Sequence, residues 1–450
     1  MKRRIGIVLE YGFHEIRNFI FSDLYKALGE KADICILTIN KNNKTFEQFL
    51  LDTGLPIIAL NEKELKIPSS KLEAYTRSVR KAWLRKEKIG TFKNYSATKN
   101  FSSLDIIKGN SFIKKYLSSL AIQKNQGRYV SSSIKQLIEQ EGLTDILVGS
   151  YNSSLGKVML YTAQALNLKT WVLVTSWKNL YINDFVPYNK LNGLFVWSDK
   201  MKADYLKINP HLDAKKVFVT GYPMFDRFFN YSPKQSYSYY REKYNLPSNA
   251  KIILYSMISP TAISYELEIL QLIGNTILEL FTKEEVFIVV RKNPMHDKDQ
   301  YLNNDIPENI RILDHFWEWD AENDMTIQQK EGEDEWMDLL HYTNFNISIA
   351  STVTLECLKV GQPVINIGFD QKGTEDPNIV RYAQAPFYRD ILNWDAVFFT
   401  PSIEDFKKAI VHIVETEPKA VLPGDIIKPS NFKATTLIKE VFESNQVVKV

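Results

Sequence analysis

At 450 residues the chain is long enough for two or three domains, each with its own core. Its 44% hydrophobic and 24% charged residues are those of a globular protein, which excludes a disordered or fibrous chain, and a net charge of +3 selects no partner class. Cys35 and Cys357 are the two cysteines; they form neither a disulfide framework nor a zinc-ligand cluster, which fits a reducing cytoplasm, and no apolar run approaches the ~18 residues needed to span a bilayer.

The opening MKRRIGIVLEYG starts like a signal peptide, but its apolar run stops at Glu10, so it reads as a first strand. In the first half, short β-rich runs alternate with helical patterns, the signature of a parallel sheet covered by helices. Strands are predicted at residues 5–9, 34–39, 57–60, 146–149, 170–174, 193–197 and 217–220. The first feeds Glu10-Tyr11-Gly12-Phe13-His14-Glu15 into a helix with apolar Ile16, Phe19, Ile20, Leu24 and Leu28. His14 and Glu15 thus stand where a substrate would meet the carboxyl end of the strand.

Between Glu62 and Arg128 the charge shifts to 16 Lys/Arg against 5 Asp/Glu. Within it, residues 71–88 place Leu72, Tyr75, Val79, Ala82 and Trp83 near helical spacing with bases elsewhere, a basic amphipathic helix. Two readings stay open: contact with anionic lipid or a phosphorylated acceptor, and the solvated face of a helical insertion. No nucleic-acid module accompanies these bases, so nucleic acid is not expected as a partner.

The Gly221–Pro223 turn and the Tyr/Ser-rich residues 230–240 mark a linker, after which strands are predicted at 252–255, 286–290, 310–313, 346–349 and 364–367. Ser259 and Thr261 follow the first of these, with hydroxyls suited to a phosphate or to capping a helix from Ala262. Arg291 and Lys292 end the next, placed to neutralise a diphosphate. Asp297-Lys298-Asp299 is an isolated acidic pair read as solvation, so no metal site is expected. Residues 314–338 hold 10 Asp/Glu against one Lys, with Trp317, Trp319 and Trp336, and read as a solvated, partly mobile loop. A helix at 405–414, a Pro/Gly break at 418–429 and a last helix near 432–443 close the chain.

Residues 346–371, NISIASTVTLECLKVGQPVINIGFDQ, concentrate the chemistry. A buried strand stops at Ser351-Thr352, whose hydroxyls suit helix caps; a short helix over 353–359 ends at Gly361, and Pro363 opens the next strand. Backbone N–H groups at Ser351 to Thr354 would then face a crevice beyond a parallel strand, ready for a diphosphate, with Glu356 one turn on to accept from ribose hydroxyls. The competing reading is a capped turn in any doubly wound sheet.

Ser351-Thr352, Glu356, Gly361 and Pro363, followed by Phe369-Asp370-Gln371, resemble the donor-binding signature of Leloir glycosyltransferases of GT-B architecture. Trp177-Lys178-Asn179-Leu180, Gly221-Tyr222-Pro223-Met224-Phe225-Asp226 and the run from Ile16 to Ile20 resemble landmarks of bacterial surface-carbohydrate and CDP-glycerol glycerophosphotransferase-like transferases. The resemblance implies an α/β GT-B fold with two Rossmann-like, doubly wound parallel-sheet domains facing a central cleft. The acceptor domain would span 1–228 with a basic insertion at about 62–128, the donor domain 241–428, and a helix in 429–450 would cross back. It also implies that Glu356 holds the ribose, that Ser351, Thr352 and Thr354 with Ser259, Thr261, Arg291 and Lys292 hold the diphosphate, and that Asp370 and Gln371 read the sugar.

The implied activity is inverting, metal-independent transfer of a sugar from a nucleotide sugar, with UDP favoured, to a surface-polysaccharide or lipid-linked acceptor at the inner face of the membrane. His14 would be the base, with Glu15 next; no cofactor beyond the donor is implied. Three departures keep alternatives open. Asn293-Pro294 replaces the His-Pro pair of these transferases, with His296 as a substitute; Asp370-Gln371 arrives early; and Ala350-Ser351-Thr352 stands where UDP-sugar 2-epimerases have an acidic Gly-Gly turn. A polyol-phosphate transferase, a 2-epimerase and a non-catalytic GT-B subunit are the other functions considered.

Overall fold

The computed structural model describes residues 3–10, 13–39, 50–65, 67–86, 110–177, 180, 186–188, 190–229, 231–293, 306–313, 317–320, 325–328, 330–385, 388–422 and 433–444. The chain forms two compact units: Met1–Phe229 with Ala321–Ile327 and Pro423–Val450, and Asn230–Asp320 with Gln328–Leu422.

The first unit is built on a seven-stranded sheet in the order β3-β2-β1-β4-β5-β6-β7. Its strands are β1 (Arg4–Leu9), β2 (Asp33–Thr38), β3 (Ile57–Ala59), β4 (Asp145–Val148), β5 (Lys169–Leu173), β6 (Gly193–Val196) and β7 (Val217–Val219). Every neighbouring pair is parallel. Continuous apolar runs such as Ile7-Val8-Leu9 and Ile146-Leu147-Val148 are buried, as strands covered on both faces require.

The second unit has a six-stranded parallel sheet in the order β10-β9-β8-β13-β14-β15. It contains β8 (Lys251–Ser256), β9 (Val286–Arg291), β10 (Ile310–Ile312), β13 (Phe345–Ser348), β14 (Val364–Ile367) and β15 (Val397–Thr400). The short β11 (Trp317–Asp320) and β12 (Met325–Gln328) lie outside both sheets. The twelve predicted strands are all present; β11, β12 and β15 were not anticipated.

Three expectations about local structure change. The continuous helix expected after β1 is instead Phe13–Ile16, a π-helical turn Arg17–Phe21, and Leu24–Gly29, separated where Asp23 takes φ +61°. Its apolar stripe is still buried, because the turn keeps Ile16, Phe19, Leu24 and Leu28 on the sheet side. The acidic segment is not a solvated loop at its end: Glu333, Glu335, Trp336 and Asp338 are buried on the helix Lys330–Tyr342. The reason is pairing. Asp338 accepts from Lys234 and Gln235 N–H at 2.9 Å and from Tyr240 OH at 2.8 Å, and Glu335 pairs with Lys243 Nζ at 2.8 Å. Residues read as a loose linker are thereby anchored, and Tyr237–Lys243 is helical. Finally, the basic helix spans Lys71–Lys86 and buries Val79, Ala82 and Trp83, with Trp83 Nε1 donating to Ser111 Oγ at 3.0 Å. Trp83 is therefore a packing residue between two helices, whereas Tyr75 on the same helix is 51% exposed.

The last helix, Ala434–Ser444, belongs to the first unit. Gly221, at φ +93°, turns the chain after β7 into a 3₁₀ helix, Pro223–Phe228, that carries Asp226. The buried Asp226 carboxylate accepts from the N–H groups of Ala434 at 2.7 Å and Thr435 at 2.8 Å, so it caps the last helix across 208 residues. Removing that acceptor in Asp226→Ala leaves two buried N–H groups without a partner. The variant is expected to lose about 2 kcal/mol of stability, read as a lower urea midpoint at an unchanged m-value; an unchanged midpoint would refute the capping role.

Candidate active site

In each unit the strand order reverses at one point: between β1 and β4 in the first unit and between β8 and β13 in the second. Helices that leave the sheet on opposite faces open a crevice at such a point.

In the first unit, Glu15 spans this point. Its Oε2 accepts from the Glu10 N–H after β1 at 2.5 Å, and its Oε1 accepts from Ser150 Oγ after β4 at 2.6 Å. The carboxylate is 1% exposed, and just after β4 a Cβ at Gly149 would stand 2.8 Å from Thr175 Cγ2 and 3.3 Å from Glu15 Oε1, so glycine leaves room here for both side chains. His14, one residue earlier, is exposed. Asn18 is fully buried and donates to His14 O at 2.7 Å and Thr175 O at 3.2 Å, while its Oδ1 has no hydrogen-bond partner. Ser176 Oγ and Thr220 Oγ1, following β5 and β7, are likewise buried with no partner. This edge therefore holds an anchored carboxylate and polar atoms with unused capacity. Tyr11, Gly12, Lys178 and Asn179 lie outside the described residues.

In the second unit the side chain that organises the site is Trp336. Its indole N–H donates to Glu356 Oε2 at 2.7 Å, and the Arg291 guanidinium lies 3.8 Å from the ring centroid. Glu356 is 2% exposed. One aromatic plane thus joins the base at the end of β9 to the carboxylate one turn beyond β13, with a cation–π contact on its face and a hydrogen bond at its edge. The acidity around Trp336 reads as a loop; the signal to the contrary is its helical spacing from Leu339 and Leu340, which share its buried face.

Ser351 and Thr352 form the turn after β13, but no side chain caps the seven-residue helix Val353–Lys359. The N–H groups of Thr354 and Leu355 are used within the turn, donating to Ser351 O at 3.3 Å and Thr352 O at 3.0 Å, so the expected row of open N–H groups is shorter than its sequence suggested. Ser351 Oγ is shielded and makes no hydrogen bond. The Thr354 hydroxyl is fully buried against Tyr388 OH at 2.6 Å and Asn366 Nδ2 at 3.3 Å, which brace the turn from beneath. Its position is that of a support, away from the crevice.

Ser259 and Thr261 hydrogen-bond each other at 2.8 Å in the loop after β8. The helix there begins at Glu266, not Ala262, because the Glu266 carboxylate turns back to accept from the Ile258 N–H at 2.9 Å. Lys292 follows Arg291 and is half-buried. Asp370 Oδ1 accepts from the N–H groups of Lys372 at 2.9 Å and Thr374 at 3.2 Å; partial burial raises its pKa, but these donors prevail and the net shift is downward. Asp370 therefore closes its own turn, and Gln371 beside it is exposed. Pro294, His296, Asp297 and Asp299 lie outside the described residues. Among the described residues no group of three or more His, Cys, Asp or Glu is arranged to hold a metal ion, and no helix is long and apolar enough to cross a membrane.

No protein-family model matches this chain, and no curated protein matches it. Solved structures do. A UDP co-structure of MnaA from S. aureus is similar at 13% identity over 98% of this chain and 94% of that one, with a TM-score of 0.54. A putative UDP-N-acetylglucosamine 2-epimerase from Listeria monocytogenes is similar at 11% identity over 99% and 98%, TM-score 0.54. The UDP-GlcNAc 2-epimerase of Methanocaldococcus jannaschii, in complex with UDP-GlcNAc and UDP, is similar at 13% identity over 98% and 100%, TM-score 0.52. The chain has the GT-B-like fold of these proteins, two parallel-sheet α/β domains.

Glu266 sets a pH dependence. Full burial drives its pKa well above the ordinary glutamate value, against the lowering pull of the Ile258 N–H and Tyr255 OH. The folded state then binds the proton more tightly than the unfolded chain, so stability falls as pH rises above about 4.3, by at most about 1.4 kcal/mol per unit. Glu266→Gln is expected to remove that slope, so its urea midpoint gains on the natural protein from pH 4 to 7; parallel curves would refute it.

Proposed function

We propose that this protein is a nucleotide-sugar enzyme that binds a UDP-sugar through its second unit and acts on carbon 2 of the sugar, as a UDP-sugar 2-epimerase. The observation that carries the reading is the Arg291–Trp336–Glu356 assembly at the carboxyl edge of β9 and β13. It sets a guanidinium for the diphosphate beside a carboxylate for ribose hydroxyls, and the similar structures include proteins in complex with UDP and UDP-GlcNAc. Ser351, with an unused hydroxyl, is a further phosphate contact in this reading, followed by Ser259, Thr261, Lys292 and Thr352. Inverting carbon 2 needs a group to take its proton. His14, exposed on the short helix Phe13–Ile16 that follows β1, is the candidate base, and Glu15, held by two donors, positions that segment. No metal enters the proposal.

A second reading is sugar transfer to a polysaccharide or lipid-linked acceptor. Ala350-Ser351-Thr352 favours it, because the acidic Gly-Gly turn of the epimerases is missing there. Incubation with UDP-GlcNAc in deuterium oxide without an acceptor separates the two. An epimerase incorporates deuterium at carbon 2 and equilibrates the epimers; a transferase leaves the donor unchanged until an acceptor is added. A polyol-phosphate transferase would instead be stabilised by CDP, and a non-catalytic subunit would process no donor.

Glu356→Gln keeps an oxygen to accept from Trp336 but weakens the acceptor offered to ribose. UDP affinity is expected to fall roughly 10- to 100-fold, about 1.4–2.7 kcal/mol, by calorimetry; unchanged affinity would remove Glu356 from the site. His14→Ala is expected to lower turnover at least ~100-fold with UDP affinity retained.

A further inference from the structure

A cavity of about 350 Å³ lies in the first unit, walled by the helices Lys71–Lys86 and Ser111–Arg128 and by Pro210-His211. Arg80, Lys114, Lys115 and His211 line it together with Ser119 and Gln123, and among the described residues no aspartate or glutamate does. Two of these bases are built into the wall. Arg80 is 2% exposed and donates to Ser118 Oγ at 3.0 Å and Asn209 Oδ1 at 3.3 Å. Lys114 is 3% exposed, donates to Ile208 O at 3.0 Å and sits 3.2 Å from the centroid of the Trp83 ring. Such anchored cations are already oriented when a ligand arrives.

His211 is the fourth basic residue of the lining. His211, whose Nε2 lies 2.7 Å from Val186 O, has its pKa lowered to about 4, first by burial and then by the charges of Arg80 and Lys114 against the raising effect of Val186. The surroundings have the same sign. Every exposed charged side chain on the two helices is basic, among them Lys71, Arg77, Lys81, Lys115 and Lys124, while their one acid, Glu73, is buried and paired with Lys157 at 3.2 Å. On the helix Ser111–Arg128, Phe112 and Tyr116 are 78% and 59% exposed and share a helical face with Lys115 and Ser119.

We propose that this cavity is a binding site for a phosphate-type oxyanion, held by Arg80, Lys114 and Lys115. A phosphorylated metabolite and the headgroup of an anionic lipid carry this chemistry alike; the exposed Phe112 and Tyr116 on the same helix face as Lys115 suit the second. All its lining residues belong to the first unit, and the proposal does not depend on which reaction the protein catalyses.

The test measures binding of the full chain to inorganic phosphate by calorimetry, and to vesicles of mixed phosphatidylglycerol and phosphatidylcholine against phosphatidylcholine alone. Ser119→Glu with Gln123→Glu puts two carboxylates on the exposed cavity wall. Lys81→Gln with Lys124→Gln removes the same net charge from exposed positions that do not line it. At least one probe is expected to bind, about tenfold or more weaker in the cavity variant and within about twofold of the natural protein in the control. Binding of phosphate identifies a soluble ligand; binding of the anionic vesicles alone identifies a lipid headgroup. Lys115→Ala, which adds no charge to the wall, is expected to weaken the same probe several-fold. No binding of either probe, or equal loss in both double variants, overturns the proposal.

Discussion

The contact on which the first unit most depends is the Asp226 carboxylate beneath the start of the last helix. A helix buried at its N-terminus must find acceptors for its first N–H groups, and here they come from a residue 208 positions earlier. The far end of the same helix is held by the start of the chain. Arg3 donates to Phe442 O at 2.5 Å and pairs with the buried Asp145, which also accepts from Trp171 Nε1 at 2.7 Å. The Phe442 ring stacks on Trp171 at 4.1 Å. The first strand, the middle of the sheet and the last helix are thus one packed assembly, and the chain of the second unit is inserted within it. Long-range closure of this kind ties the last helix to both the start of the chain and the segment after β7.

A second constraint is the treatment of buried carboxylates. Glu15, Glu266 and Glu356 all lie near the carboxyl edges of the parallel sheets, and each is oriented by named donors: Glu10 N–H and Ser150, Ile258 N–H and Tyr255, and Trp336. Burying an acid costs several kcal/mol unless it is hydrogen-bonded, so the donors at these edges are structural necessities before they are functional ones. Atoms whose desolvation is not repaid, Asn18 Oδ1, Ser176 Oγ, Thr220 Oγ1 and Ser351 Oγ, occupy the same edges. A parallel sheet gathers its loops here, and a ligand's hydroxyls or phosphates are natural partners for such atoms.

Strands were legible because runs such as Ile5–Leu9 and Val364–Ile367 are apolar, β-branched and bounded by polar or Gly/Pro residues, a pattern that follows from burial on both faces. The helix after β1 was read correctly as a buried apolar stripe but not as a broken helix, since periodicity reports which side faces the sheet and not the hydrogen-bond pattern of each turn. The acidic segment misled because charge alone implies solvation. Asp338 and Glu335 are buried only because the chain near Lys234 and Lys243, about a hundred residues earlier, supplies donors.

The sequence by itself determined the alternation of strands and helices, the basic insertion and the turn at Ser351-Thr352, because these depend on neighbours within a few residues. Only the tertiary structure decided which residues share a site. Arg291, Trp336 and Glu356 meet because β9 and β13 flank β8, and Arg80, Lys114 and His211 meet because two helices pack against the segment after Ile208. Strand order and helix packing follow from the fit of whole surfaces, which no local pattern encodes.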